Sequence, residues 1–414
     1  MTTERPAHPP ALAEWDHMKT LEEALSHLLG RVNHMPTTER IGLSEAHQRV
    51  LASAIQSPID VPGFDNSAMD GYACRLDAEG IPLPVSQRIA AGDAPSPLAP
   101  DSVARIFTGA PLPEGAQAVV MQERTTIQGD GRVVLSGPIE LGQFIRRTAG
   151  DLSRGQALFP VGHLLQSADV ALLASVGLSV LEVFRPLRVG VFSSGDELRQ
   201  PGSALAPGQI YDSNRPMIMS LVRALGAQAS DLGCLPDGLE TTRAALREAG
   251  QAHDVLITCG GVSVGEEDHM KAAVSAEGAL DLWKIMLRPG RPFAFGRVRD
   301  ATFIGLPGNP VSAWVTFALL VRPYLLRALG QQRVEPESLL LESGFDWPHP
   351  DARREFLRGW IDASGRLAHH PRQDSQVLSS ICESRGLIEI PPGQPVCRGD
   401  RLRYIPFTAL LSRG

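Results

Sequence analysis

The chain has 414 residues, of which 43% are hydrophobic and 21% charged, and its formal net charge is −7 at neutral pH. This length predicts about two to four domains, and the composition is typical of a soluble globular protein. The acidic balance argues against a nucleic-acid partner, whose recognition needs a positive surface. A polyanionic small ligand must therefore be held by local basic groups.

Cysteine usage and hydropathy indicate the compartment. The five cysteines are scattered and lack C-x-x-C spacing, which predicts neither a disulfide framework nor a zinc site. Residues 1–15 are polar and proline-rich, which predicts a flexible tail and no secretory signal. No apolar run is long enough to span a membrane. We therefore expect a cytoplasmic protein without membrane contacts.

The N-terminal region predicts a helical segment built from two pieces, residues 16–59 and 154–185. Apolar residues at helical spacing predict helices over 16–30, 43–54 and 167–178. We expect the first two helices to pack on the third.

Between these two pieces, residues 60–153 change in character. Short β-rich runs alternate with Gly and Pro, and Asp130-Gly131 is a dipeptide typical of hairpin turns. The pattern predicts an inserted β-rich domain. Residues 330–414 also contain short strands and proline-rich turns, which predict a small C-terminal β domain or β-barrel.

Residues 186–329 alternate strands and helices. Three strands, each followed by a loop and a helix, are expected over 187–192, 254–259 and 301–306. This series predicts a doubly wound α/β domain with a parallel sheet, within a multidomain chain of α/β plus β class. Ligands of such sheets bind at the carboxyl ends of the strands. The loops that should converge on one site are 193–197, 260–268 and 307–310.

The loop at 260–268 combines three glycines with three consecutive carboxylates. Glycines leave backbone N–H groups open to an anion, whereas carboxylates repel phosphate unless a divalent cation lies between them. The loop therefore predicts a phosphate together with Mg²⁺. The alternative is a tight crossover with acidic residues at a helix start, and the loop matches neither the dinucleotide nor the P-loop fingerprint.

Other polar groups near the strand ends have two interpretations. Asp196 and Glu197 could hold a metal or cap a helix, and Lys284 and Arg288 flank a Pro-Gly turn that suits a tetrahedral oxyanion or forms an exposed edge. Asp70 lies in a turn-rich run of the β-rich domain, where a structural role is the default. A role for Asp70 at the sheet loops would require domain packing or a second subunit.

Seven segments, in order, resemble one known family. They are FDNSAMDGYA (64–73), FTGAPLPEG (107–115), SSGDEL (193–198), GQIYDSNRPM (208–217), GGVSVGEEDH (260–269), LRPGRPFAFG (287–296) and GLPGNPVSA (305–313). From about residue 16 onward, the chain closely resembles the molybdopterin molybdenumtransferases, the family of bacterial MoeA and of the gephyrin E domain.

The resemblance implies an elongated homodimer with four parts in each chain: a helical segment, an inserted β-rich domain, an α/β domain and a C-terminal β-barrel. It also implies that adenylylated molybdopterin and molybdate are the substrates, that molybdenum is inserted into the dithiolene, and that AMP is released with help from Mg²⁺. Transient contacts with the molybdopterin adenylyltransferase and with client molybdoenzymes are further implied.

The resemblance also assigns site residues. The catalytic set is Asp70, Thr108, Asp151, Glu197, Asp237 and Asp268, and the metal ligands among them are Glu197, Asp237 and Asp268. The substrate-binding set is Gly260, Gly261, Ser263, Gly265, Lys284, Arg288, Arg291, Gly308, Asn309, Ser312, Arg358 and Ser375. The family usually has lysine where this chain has Arg288, and often at Arg291. Only three of the 39 basic residues here are lysines, so we interpret these changes as drift that preserves charge.

Two other functions remain open from the sequence. Adenylyl transfer from ATP to molybdopterin is one, because the α/β domain resembles that of the adenylyltransferases. A scaffold role is the other, because the gephyrin relative anchors a receptor and the fold itself does not determine function.

Overall fold

The computed structural model describes residues 18–32, 36–235, 238–261 and 269–413. Within them lie a seven-stranded, a six-stranded and a four-stranded sheet, together with several two-stranded pairs. The seven-stranded sheet has helices on both faces and forms the centre of the protein.

The N-terminal region contributes to the central sheet. Its elements are β1 (Met18–Lys19), α1 (Leu21–Gly30), β2 (Thr38–Gly42) and β3 (Ile55–Gln56). Helix α1 begins after Thr20 because Thr20 and Glu23 form a reciprocal capping box. The predicted start of this helix at residue 16 is therefore wrong, since Met18 already pairs as a strand.

The helix predicted over 43–54 is also wrong. Only Leu43–Glu45 form a short 3-10 turn. Gln48 has a φ of 63°, a left-handed conformation that ends a right-handed helix. Val50 and Leu51 then bridge to Leu164 and Val183, so their apolar side chains are buried through strand pairing.

The strands of the inserted domain are all short. They are β4 (Asn66–Ser67), β5 (Gly71–Cys74), β6 (Val85–Ile89), β7 (Val103–Ile106), β8 (Ala118–Met121), β9 (Thr125–Ile127), β10 (Val133–Leu135) and β11 (Ile145–Arg146). The predicted hairpin at Asp130-Gly131 is confirmed, because β9 and β10 are antiparallel and Gly131 has a φ of 84°. The four-stranded sheet has the order β6-β7-β5-β8.

The chain then returns to the N-terminal strands through β12 (Ala157–Phe159), α2 (Ser167–Ser175) and β13 (Val180–Phe184). Strand β12 pairs with β3, and β13 pairs with β2, both antiparallel. Helix α2 confirms the helix predicted over 167–178. The predicted packing of α1 on this helix is wrong, because Ala24 and Leu28 are buried in the core of the α/β domain.

The α/β domain supplies most of the central sheet and its helices. Its elements are β14 (Arg188–Ser194), β15 (Leu198–Arg199), β16 (Ile210–Tyr211), α3 (Asn214–Ala224), β17 (Gln228–Leu235), α4 (Leu239–Ala252), β18 (Val255–Cys259), α5 (His269–Glu277), β19 (Gly278–Ile285), β20 (Leu287–Arg288), β21 (Pro292–Val298), β22 (Ala301–Leu306) and α6 (Pro310–Ala328). The strand order is β1-β19-β21-β22-β18-β14-β17. Helices α1, α3 and α6 pack on one face, and α4 and α5 on the other.

The predicted doubly wound class is confirmed, but the sheet is mixed rather than parallel throughout. Strands β22, β18, β14 and β17 are parallel, whereas β21 is antiparallel to both β19 and β22. The connections on either side of β21 are too short for the crossover that a parallel neighbour requires.

Helix α6 is the central core helix. Its length and composition would suffice for a membrane span, but 94% of its most apolar window is buried inside the protein. A helix this rich in apolar residues is expected to be buried on most of its surface.

The C-terminal domain adds β23 (Leu339–Glu342), β24 (Arg354–Ile361), β25 (Leu367–His369), α7 (Ser379–Glu383), β26 (Gly386–Ile390), β27 (Arg401–Pro406) and α8 (Phe407–Leu411). The six-stranded sheet has the order β20-β24-β26-β27-β23, with β25 on β24. A bridge between Ser343 and Leu367 connects its two sides. Strand β20 links it to the α/β domain, because β19 and β20 are consecutive in the chain.

Candidate active site

A polar cavity of about 1150 Å³ lies between the α/β domain and the C-terminal sheet. The α/β wall comes from the carboxyl ends of β14, β18 and β22, including Ser194, Gly195, Glu197, Gly260, Gly261, Pro307, Gly308 and Asn309. The predicted convergence of the three loops is therefore confirmed for their described residues. The opposite wall comes from 347–358 and 373–376, which the sheet-loop argument did not include.

Glycines bring the β18 loop close to β14. Gly260 has a φ of 91° and Gly261 a φ of 67°, conformations that other residues rarely adopt. A Cβ at Gly260 would lie 2.8 Å from the backbone oxygen of Ser194. At Gly308, by contrast, an added Cβ would meet nothing within 4 Å. The cavity wall is thus tightly packed at Gly260 and open at Gly308.

Buried charges support the loop between β16 and α3. Asp212 is 3% exposed and lies in the cavity wall. It accepts hydrogen bonds from the Ser193 hydroxyl and from Arg215 N, and its carboxylate lies 3.2 Å from the Arg215 guanidinium. Asn214 donates to the Gly308 carbonyl at 2.6 Å and so connects this loop to the start of α6. These residues were not predicted from the sequence, although DSNR lies within one of the seven segments.

Arg358 is the central basic group of the opposite wall. It is 1% exposed, and its guanidinium donates to Ser380 Oγ at 3.1 Å and to the carbonyls of Arg372 and Asp374 at 3.4 and 3.3 Å. Among the described residues, no carboxylate forms an ion pair with it. Burial lowers the pKa of Arg358 to about 10, so the side chain remains cationic at neutral pH. The Asp374 carboxylate raises the pKa of Arg358 only by longer-range attraction, and a buried cation without a direct ion pair favours an anionic ligand.

Hydrogen bonds hold the loop at 373–376 beside Arg358. Gln373 accepts from Arg358 N at 3.0 Å and donates to the Arg358 carbonyl at 2.9 Å. Asn309 donates to Ser375 Oγ at 3.1 Å, and Val311 N donates to the Ser375 carbonyl at 3.0 Å. Ser375 thus connects the start of α6 with the C-terminal domain.

Most of the described substrate-binding residues that the resemblance assigned lie on one cavity. They are Gly260, Gly261, Arg288, Arg291, Gly308, Asn309, Ser312, Arg358 and Ser375. Lys284 is half-buried next to β1 and is absent from this wall. Ser263, Gly265, Asp237 and Asp268 lie outside the described residues.

The catalytic residues assigned to the inserted domain do not line this cavity. Thr108 donates both its backbone N–H and its hydroxyl to Asp70, each at 2.8 Å, and these bonds hold the pKa of Asp70 below its ordinary value. Asp151 is exposed. The pair of Asp70 and Thr108 is preorganised as an ionised carboxylate with a hydroxyl beside it.

Of the three predicted metal ligands, Glu197 lies within the described residues. No three His, Cys, Asp or Glu side chains cluster within the described part of the chain. Glu197 is exposed and lines the cavity, and its carboxylate is a type of oxygen donor that Mg²⁺ prefers. The other two predicted ligands fall at 237 and 268, which are not described.

Three family models together match most of the chain. They are "MoeA N-terminal region (domain I and II)" over residues 19–177, "Probable molybdopterin binding domain" over 190–327, and "MoeA C-terminal region (domain IV)" over 341–407.

Curated relatives match over nearly their full length. A protein of Haemophilus influenzae named molybdopterin molybdenumtransferase is 39% identical over 403 residues, which cover 95% of this chain and all of that protein. A Nostoc protein of the same name is 34% identical over 411 residues, covering 95% of this chain and 93% of the relative.

The fold also matches a solved structure of an archaeal protein. The molybdopterin biosynthesis moeA protein from Pyrococcus horikoshii superposes with a TM-score of 0.79 at 30% identity, covering 94% of this chain and 99% of that one.

Glycine substitutions test the geometry of the α/β wall. Gly260→Ala should lower the free energy of unfolding by about 1–2 kcal/mol, because a positive φ and contact with a backbone oxygen both oppose a side chain. Gly308→Ala should leave it nearly unchanged, because its Cβ meets open space.

Urea denaturation of both variants checks this contrast. Equal losses of stability at the two positions would contradict the close approach of the β18 loop to Ser194.

Proposed function

The chain belongs to the molybdopterin molybdenumtransferase family, and we propose that its cavity is where molybdenum is inserted into the pterin. The protein is a transferase of molybdenum cofactor biosynthesis. We further propose that the pterin arrives adenylylated, that AMP leaves, that Mg²⁺ assists, and that the protein acts in the cytoplasm as a homodimer.

The observation that carries this proposal is the buried charge of Arg358, whose described hydrogen-bond partners are all neutral oxygens. Molybdate is a tetrahedral dianion, and guanidinium and hydroxyl donors bind such oxyanions well. Ser375 lies in the same wall, and Arg288 and Arg291 line the cavity between the two domains. This basic side supports assignment of the oxyanion to the C-terminal wall.

The opposite side suits the phosphates of an adenylylated pterin. Gly261, at a positive φ, lines this side of the cavity, whereas the Gly260 N–H donates to the Leu306 carbonyl at 3.1 Å. Helix α6 begins at Pro310 next to Gly308. The N-terminus of a long helix favours negative charge. The two substrates could therefore occupy neighbouring parts of one cavity.

Mg²⁺ would neutralise phosphate charge in this arrangement and assist departure of the AMP. Glu197 is the described residue that would hold it, together with Asp237 and Asp268 from the resemblance. The chain's own contribution is to position the oxyanion against the pterin and to hold both anions in a preorganised polar cavity.

The composite cavity favours insertion over adenylyl transfer. Ten of its 32 lining residues belong to the C-terminal domain, including Arg358 and Ser375. Adenylyl transfer from ATP would not require a second, buried anion site on that wall. A protein that served only as a scaffold would not need this charged cavity.

Single-turnover release of AMP from adenylylated molybdopterin tests the proposal. We expect release to require molybdate and Mg²⁺, and Arg358→Gln to slow it by about 10²–10³-fold at subsaturating molybdate, because one charged donor to the oxyanion is lost. Asp268→Asn should slow release through loss of a metal ligand.

Arg366→Gln is the matched control, because Arg366 is an exposed arginine of the same domain that pairs with Glu342 at 3.4 Å. It should behave as the wild type. Formation of adenylylated pterin from ATP by this protein alone would favour adenylyl transfer, and a stoichiometric protein partner without any turnover would favour a scaffold.

Complementation tests the proposed homodimer. Asp70 and Thr108 do not line the cavity of their own chain, so we propose that they act at the cavity of a second chain. Asp70→Asn and Arg358→Gln should each be inactive alone, yet a mixture refolded together should recover about a quarter of wild-type activity, since half of the dimers would carry one intact site.

If the refolded mixture recovers no activity, the proposed arrangement is contradicted. Asp70 and Arg358 would then act at the site of the same chain, or one of them would take no part in the reaction. Sedimentation velocity on the mixture establishes whether mixed dimers form.

A further inference from the structure

Two carboxylates hold Arg288 on the cavity wall. Its Nη1 lies 3.1 Å from Glu355 Oε1 and 3.3 Å from Asp351 Oδ2. Arg288 is half exposed, whereas Glu355 is 2% exposed, and both line the cavity. A buried carboxylate that pairs with a cavity arginine competes with an oxyanion for that arginine.

Asp351 already has an arginine of its own. Arg353 binds it with both branches of its guanidinium, at 2.8 Å from Nε and 2.8 Å from Nη2. Burial raises the pKa of Asp351, but the hydrogen bonds from Arg353 outweigh burial and the net shift is downward. Asp351 and Arg353 therefore neutralise each other without Arg288.

Glu355 has no such second cation. Its Oε2 accepts from Trp347 Nε1 at 3.0 Å and from Asp351 N at 2.8 Å, and both donors are neutral. Within the described residues, Arg288 is its one ion-pair partner. The two neutral donors fix the carboxylate so that its other oxygen is directed at Arg288.

We propose that Glu355 sets the affinity of the cavity for the oxyanion by competing with it for Arg288. This inference rests on the proposed function, because it needs Arg288 to contact the oxyanion. When the oxyanion binds, the Arg288 guanidinium exchanges the Glu355 carboxylate for it. When the oxyanion has been consumed, Glu355 takes the guanidinium back, which keeps the empty cavity from retaining anions.

The arginine at this position suits such an exchange. Its fork presents several N–H donors, and the described contacts to carboxylates use Nη1. Glu355 is thus a positioning residue that acts through Arg288.

The substitution Glu355→Gln tests this role. The amide oxygen can still accept from Trp347 Nε1 and Asp351 N, which turns the amide NH₂ toward Arg288. The wall keeps its shape, but the competing charge disappears. We expect equilibrium dialysis with inorganic molybdate, without pterin, to give about tenfold tighter binding than in the wild type, a change in the dissociation constant worth ~1.4 kcal/mol.

Kinetics separate this role from a merely structural one. In single-turnover assays Glu355→Gln should reach half-maximal rate at about tenfold lower molybdate, without a gain in the maximal rate. A general loosening of the wall would instead raise the molybdate requirement. Glu342→Gln, which breaks an exposed ion pair with Arg366 outside the cavity, should change neither value.

Arg288→Gln is the second variant. It breaks the same ion pair by replacing its half-exposed partner. It should weaken molybdate binding about tenfold, and in this background Glu355→Gln should no longer tighten binding. Unchanged or weaker binding in folded Glu355→Gln, or full tightening without Arg288, would overturn the inference. These outcomes are separable from failure of the proposed function, in which the wild type itself neither binds molybdate at Arg358 nor releases AMP.

Discussion

One run of chain belongs to two sheets, and the cavity exists because of it. Gly278–Ile285 lies in the central sheet, and Leu287–Arg288 lies in the C-terminal sheet. Between them, Met286 N donates to the Lys19 carbonyl at 2.9 Å, and the Met286 carbonyl accepts from Arg354 N at 3.1 Å. Because buried backbone groups must be paired, these ladders hold the two domains in one relative position.

This connection brings together two walls that each favour an anion. The carboxyl ends of the parallel strands, with the start of α6, favour phosphate, and Arg358 on the other wall favours a second anion. Four arginines and four carboxylates line the cavity, in a chain whose net charge is −7. The buried carboxylates Asp212 and Glu355 then limit the positive charge of the cavity locally.

The elements that were predicted correctly are those whose sequence signals are local. Strands over 187–192, 254–259 and 301–306 and the hairpin at Asp130-Gly131 depend on apolar runs and turn dipeptides, and all are present. The helix expected over 43–54 failed because its apolar residues are also compatible with strand pairing, and Gln48 adopts a left-handed conformation that no pattern marks. The antiparallel edge of the sheet was missed because strand direction depends on connection length and on pairing partners far along the chain.

The residues of the candidate site also differ in whether a local sequence signal predicts them. Loops at strand ends follow from topology, so Gly260, Gly308 and Asn309 could be found from the residues alone. Arg358 and Ser375 came only from the resemblance, since nothing local to β24 distinguishes a cavity arginine from a surface one. Glu355, three residues before Arg358, was missed because its significance comes from Arg288, which lies 67 positions earlier in the sequence and reaches it only through the β20–β24 pairing.

The central claim is that the oxyanion binds against Arg358. The most direct measurement is anomalous diffraction at the molybdenum absorption edge from crystals soaked in molybdate without pterin. The account predicts a peak within hydrogen-bonding distance of the Arg358 guanidinium and Ser375 Oγ, and loss of that peak in Arg358→Gln. A peak confined to the glycine side of the cavity, near Gly260 and Gly308, would contradict it.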